Sequence, residues 1–180
     1  MKNEQVKNYA EFGSISICQG CGTSLPANHN DTTIHPYMLS SPACWKYYGE
    51  VLACEYTEPS YAIVHRLTVD AYAAQHPGNN TDRRAIQSVN VHLASLYLIF
   101  EKNISHAAAT DAIRKLILHH KGAFIPLSIP ATLGDLTIKS IAQAKNAEEH
   151  QMLVKEWAYS TWQAWRIHQQ HFEQLTHVVK

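Results

Sequence analysis

Apolar side chains recur at helical intervals through most of this chain, and the breaks between the runs carry helix start and stop signals. Trp45, Tyr48, Val51, Leu52 and Tyr56 follow Ser41-Pro42, an N-cap hydroxyl before a proline whose missing N–H costs nothing at the first helical position. Glu58-Pro59-Ser60 starts a second helix carrying Ile63, Leu67, Val69 and Tyr72, which ends at His76-Pro77-Gly78. Thr81-Asp82 caps a third, through Val89, Val91, Leu93, Leu96, Ile99 and Phe100. It is apolar on most faces and is therefore predicted to be central.

Asn103-Ile104-Ser105 opens a fourth helix that stops near Lys121-Gly122. The stretch from Ile125 to Pro130 is too proline-rich for a helix and reads as an extended connector. A short helix is predicted from Thr137 to about Ala144. Asn146-Ala147-Glu148-Glu149 is a capping-box-like start to a long last helix through Leu153, Val154, Trp157, Trp162, Trp165, Phe172 and Leu175. A further short helix fits Asn3 to Phe12, ended by Gly13. No strand-like alternation with hairpin turns occurs. The pattern predicts an all-α, single-domain helical bundle over residues 1–180, with an irregular N-terminal segment at 14–44 and the bundle at 45–180.

The irregular segment gives the cysteines their meaning. It is rich in Gly, Pro, Asn, Thr and Ser, and a loop of this length inside a compact domain is uncommon unless functional or tied down. It contains Cys18-Gln19-Gly20-Cys21-Gly22, a tight turn able to present two sulfurs to one metal ion, and Cys44 lies downstream at the start of a helix, where the dipole favours a thiolate. Zinc takes four N or S ligands in a tetrahedron. Cys18, Cys21 and Cys44 are thus predicted metal ligands, zinc is the expected cofactor, and His35, His65 or His76 is the candidate fourth ligand. Cys54, the last of four cysteines, sits in the apolar run Val51-Leu52-Ala53-Cys54 and reads as a buried small hydrophobe.

Charge narrows the function classes. Fifteen basic residues balance fifteen acidic ones, so no broad field favours nucleic acid or anionic lipid. The polar start Met1-Lys2-Asn3-Glu4-Gln5 lacks the apolar core of a signal peptide, and no apolar run is long enough to span a membrane. The expectation is a cytoplasmic protein with a small molecule or a protein as partner and no general nucleic-acid binding. In a reducing compartment, cysteines point to metal or redox chemistry rather than to a disulfide framework.

Twelve histidines supply a second constellation. His65, Val69, Tyr72 and His76 lie at spacings of four, three and four along one helical face. Asp70 projects to one side of that face, beside Arg66 and Ala73. His92 interrupts an apolar helix, and His168 follows Trp165 on the last helix, with His171 nearby. Imidazoles from several helices can hold a divalent metal and a water inside a bundle. Asp70, Tyr72, His92 and His168 are thus the candidate catalytic residues, Tyr72 as an acid or orienting group. His119-His120-Lys121 suits a helix end, and His106, His150 and His177 read as solvent-facing.

The blocks Cys18-Gln-Gly-Cys21-Gly, His35-Pro-Tyr-Met-Leu-Ser-Ser-Pro-Ala-Cys44-Trp and His65-Arg-Leu-Thr-Val-Asp70-Ala-Tyr72-Ala-Ala-Gln75-His76-Pro-Gly occur in order. Gln87-Ser-Val-Asn-Val-His92-Leu and Trp162-Gln-Ala-Trp165-Arg-Ile-His168 follow them. Together they resemble an uncharacterised bacterial family, a domain of unknown function spanning nearly the whole chain. The resemblance implies that the blocks belong to one fold and brings no established reaction.

Three functions follow from these residues. The favoured one is a zinc-binding helical domain whose closed site is structural. A second is a metal-dependent hydrolase-like enzyme built on the His/Asp cluster, and a third is a thiol oxidoreductase using Cys18 and Cys21.

Overall fold

A computed structural model describes residues 15–26 and 32–177, and the helix expected over Asn3 to Phe12 lies outside these residues. The fold is helical, with one small β-hairpin at its N-terminal side. Strands β1 (Ile15–Ile17) and β2 (Ser24–Pro26) pair antiparallel, Ser16 opposite Leu25. The sequence predicted no strand. Each strand has only three residues, too few for an alternation to register, and the turn between them is the cysteine segment itself.

The helices are α1 (Pro42–Thr57), α2 (Pro59–Ala62), α3 (His65–Gln75), α4 (Arg83–Phe100), α5 (His106–His119), α6 (Ile138–Ala142), α7 (Ala147–Trp165) and α8 (Gln169–His177). Their starts are capped as the side chains dictate. Ser41 Oγ accepts from the N–H of Cys44, Asp82 from Arg84, Ser105 Oγ from Ala108, and Asn146 from Glu149. Glu149 reaches back to the N–H of Lys145 at 2.7 Å, one residue beyond a standard capping box.

Two expected helices are each divided. The second breaks at Ile63-Val64, where Val64 takes φ −106° and ψ 4° as the N-cap of α3. The break leaves Ile63 exposed and Val64 fully buried. The last helix tightens into a 3₁₀ turn over Arg166–His168 before α8 resumes and buries Phe172 and Leu175.

Helix α3 lies at the centre, against α4 on one side and α7 on another, while α1 packs on α6 and α4 also meets α5 and α8. Three tryptophans of α7, Trp157, Trp162 and Trp165, are fully buried; Trp162 donates to Glu101 at 2.7 Å and Trp165 to the carbonyl of Ala74 at 3.2 Å. Every residue of α3 from Asp70 to Gln75 is buried, including polar ones. That requires partners for each polar group. The Nε2 of Gln75 donates to the carbonyls of Leu133 and Leu136 at 2.8 and 2.7 Å, which fastens the connector before α6 to the bundle, while its Oε1 is buried without a partner among the described residues.

The buried face of α1 is turned by one residue from the expected one. Cys44, Tyr48, Val51 and Glu55 face inward, whereas Tyr56 is 73% exposed and Cys54 is exposed rather than buried. The inward face is set by two polar positions, Cys44 and Glu55, that hydrophobicity alone does not assign to a core.

Candidate metal centre

The hairpin turn is a compact knuckle. The N–H of Cys18 donates to the carbonyl of Thr23 and the N–H of Gly22 to the carbonyl of Cys18, both at 2.9 Å. Gly22 takes φ +72°, a left-handed conformation that an L side chain rarely adopts. Gly20 is required for another reason. A Cβ there would fall on the carbonyl oxygen of Leu39 and within 2.6 Å of His76 Cδ2. The knuckle therefore docks by its backbone directly against the end of α3.

That docking brings four donor atoms together. One ligand atom each from Cys18, Cys21, Cys44 and His76 lies within 4.8 Å of all the others, a grouping that can hold a metal ion. Cys21 Sγ lies 3.9 Å from Cys44 Sγ, and Cys44 Sγ lies 3.3 Å from His76 Nε2. Cys18, Cys44 and His76 are buried and Cys21 is half-buried. The donors come from three places in the chain: the knuckle, the first turn of α1 and the C-terminal end of α3.

The surroundings orient these donors. His76 Nδ1 donates to the carbonyl of Tyr72 at 2.7 Å, which puts the lone pair of a neutral ring on Nε2, facing the sulfurs. The N–H of Ser41 points at Cys18 Sγ at 3.5 Å. Tyr72 bonds Ser40 Oγ and lies 3.7 Å from Cys44 Sγ, while its ring stacks on both Tyr48 and His76.

The electrostatics are those of thiols crowded around one charge. Hydrogen bonds from Cys21 and then Cys44 hold Cys18 far below the ordinary thiol range, whereas the same contact with Cys18 drives Cys21 far up. Burial works against a charged His76. Its bonds to Cys18 and Cys44 outweigh that, and its pKa rises to about 9. Burial also pushes the Tyr72 phenol upward, with the Cys44 charge second.

Of the three candidates for the fourth position, only His76 stands in this group. His35 Nδ1 accepts from the N–H groups of Tyr37 and Met38 at 3.4 and 3.2 Å, its ring packs on Trp45, and burial lowers its pKa. His65 lies at the other end of α3 and pairs with Glu55 at 2.8 Å.

The expected His/Asp cluster is brought together only in part. Asp70, fully buried, accepts from His92 Nδ1 at 2.7 Å and from Arg66 Nε at 2.9 Å. His168 does not join them: its Nε2 meets the carbonyl of Ser128 at 2.8 Å. His171 bonds Asn90 Oδ1 at 2.9 Å, and Tyr72 belongs with the cysteines.

A further buried cluster escaped the sequence. Glu55, 2% exposed, accepts from His65 Nδ1 at 2.8 Å, from His150 Nε2 at 2.9 Å and from Thr68 Oγ1. His150, expected at the surface, is buried because this carboxylate gives it an acceptor between α1 and α7. The available signal was Glu55 falling seven and four residues after Tyr48 and Val51, on the buried face of α1.

A model of a family of unknown function, DUF5946, matches residues 16–166, and the chain belongs to that family. The matched span includes all four clustered donors and ends before His168. No curated protein and no solved structure matches the chain. Among the described residues, no helix is long and apolar enough to cross a membrane.

Proposed function

We propose that this member of the family is a zinc protein in which Cys18, Cys21, Cys44 and His76 are the ligands and the metal is structural. The observation that carries this reading is the convergence of three thiols and one imidazole from three chain segments. A tetrahedral zinc with bonds of about 2.3 Å to sulfur has sulfur–sulfur edges of about 3.8 Å. The Cys21–Cys44 separation of 3.9 Å fits such an edge. Soft thiolates with one imidazole are a donor set that suits zinc, and His76 already presents the correct nitrogen.

Four protein donors fill the tetrahedron and leave no position for a substrate water, which favours a structural over a hydrolytic metal. The role of the ion is to neutralise the charge of the crowded thiolates and to clamp the hairpin across α1 and α3. A dithiol redox couple needs neither Cys44 nor His76, so their presence beside Cys18 and Cys21 favours the metal over thiol exchange. Elemental analysis of protein purified without chelator tests the proposal. One zinc per chain is expected, lost together with any one of the four side chains; substoichiometric metal of every kind would sink the reading.

A further inference from the structure

Helix α4 carries a polar face that the metal does not use. Arg84, Ser88 and His92 follow at intervals of four along it, with Arg83 and Gln87 alongside. These five side chains, with Tyr37 opposite, line an open cleft of about 330 Å³. That is at the small end of the range for small-molecule sites. The Arg84 guanidinium lies 5.6 Å from the centre of the Tyr37 ring and pairs with Asp82, while Arg83 donates to the carbonyl of Lys121 at 3.3 Å. A guanidinium has five N–H groups, so both arginines retain donors for a ligand.

Two further observations mark the cleft as built for an oxygen-rich ligand. Ser88 is 8% exposed, yet its Oγ finds no hydrogen-bond partner among the described residues. A buried hydroxyl without a partner costs free energy unless something supplies one. His92 is held from behind: its Nδ1 donates to Asp70 at 2.7 Å, and Arg66 neutralises that carboxylate from the other side. Among the described residues Nε2 of His92 makes no hydrogen bond, and it is the ring's remaining polar atom. Arg66 Nη2, beside the same pair, is a second buried donor without an acceptor. No carboxylate lines the cleft.

We propose that this cleft binds the phosphate group of a small molecule, held by Ser88 and His92 with Arg83 and Arg84 supplying the charge. A phosphate suits the set better than a carboxylate. A phosphate offers three acceptor oxygens, enough for Ser88, His92 and the two arginines to be met together, whereas a carboxylate offers two. Arg66 on Asp70 argues against a cation at this place, because the carboxylate is already paired with a fixed positive charge.

Calorimetric titration of the full chain with inorganic phosphate, and in parallel with acetate, tests the proposal. Phosphate should bind saturably and acetate more weakly. Ser88→Ala should weaken phosphate binding about tenfold, the worth of one charge-assisted hydrogen bond. Its melting temperature should hold or rise, because the hydroxyl removed had no partner. His92→Ala should weaken binding at least as much. No saturable phosphate binding, or phosphate binding as tight in Ser88→Ala as in the parent, overturns the site. Acetate binding as tightly as phosphate overturns the phosphate assignment.

Discussion

Two buried polar clusters of this molecule are built on opposite plans. Around Glu55, three donors meet one acceptor, and each group has its partner within the protein: His65 and His150 at 2.8 and 2.9 Å, and Thr68 through its hydroxyl. Around the knuckle, three thiols and an imidazole face one another with no carboxylate or carbonyl among them. The first cluster is complete as a hydrogen-bonded set. The second is a set of electron-pair donors facing one another, and the hydrogen bonds among its thiols drive the pKa values of Cys18 and Cys21 in opposite directions. Number of buried polar groups does not separate a ligand site from a structural network; the balance of donors and acceptors does.

The strongest way to break that contrast is Cys18→Ala. Structural zinc sites contribute about 10 kcal/mol or more to the state that binds the metal, so losing one ligand should release the ion and detach the hairpin from α1 and α3. The largest fall in melting temperature of any single variant is expected here, with stoichiometric zinc lost in elemental analysis. If Cys18→Ala melts alongside the parent, the knuckle is no staple.

Glu55→Ala should come next. It removes the acceptor from two imidazoles and a hydroxyl, one of the imidazoles fully within the core. Breaking a buried charged set by removing one member costs about 3–5 kcal/mol. Chemical denaturation should show a loss of this size while zinc stays at one per chain. Metal lost together with stability would mean that the two clusters are one cooperative unit.

How much of this could be read beforehand differs between the clusters for a physical reason. Cys18 and Cys21 are local, and Cys44 is marked by the Ser41-Pro42 helix start, so three donors are legible in order along the chain. The imidazole is not. His65 and His76 sit eleven residues apart on α3, about 16 Å at 1.5 Å per residue, so only one end of the helix can meet the knuckle. Which end does so depends on tertiary packing. Glu55 was less legible still, because a carboxylate at a core position looks like the edge of a solvated face until His65 and His150, 10 and 95 residues away, are brought to it. The helices themselves were largely visible from their caps. The break at Ile63-Val64, the 3₁₀ turn at Arg166–His168 and the three-residue strands were not, since each is set by what its neighbours bury.

Gly20→Ala sharpens the comparison without touching a ligand. The added methyl would meet the Leu39 carbonyl and the ring of His76, so the knuckle must lift from α3. Overpacking of this kind costs about 1–3 kcal/mol. It should also weaken zinc affinity by about 10–100-fold, as loss of an orienting contact does. Competition with a chromophoric chelator reads the affinity directly. Unchanged affinity would mean that the backbone approach at Gly20 does not set the position of His76.

The smallest effect belongs to Cys54, the cysteine outside both clusters. It is exposed on α1, where an apolar neighbourhood in sequence suggested a core position. Cys54→Ser should leave stability and metal content unchanged, as surface substitutions generally do. Its value is as a counter. In the zinc-loaded protein an alkylating reagent should modify one thiol, Cys54, and chelation should raise the number to four, the full cysteine content of the chain. In Cys54→Ser the loaded protein should then take up no reagent at all. Uptake at Cys21, the half-buried member of the metal group, before any chelator is added would show that the cluster is open where the tetrahedral reading requires it to be closed.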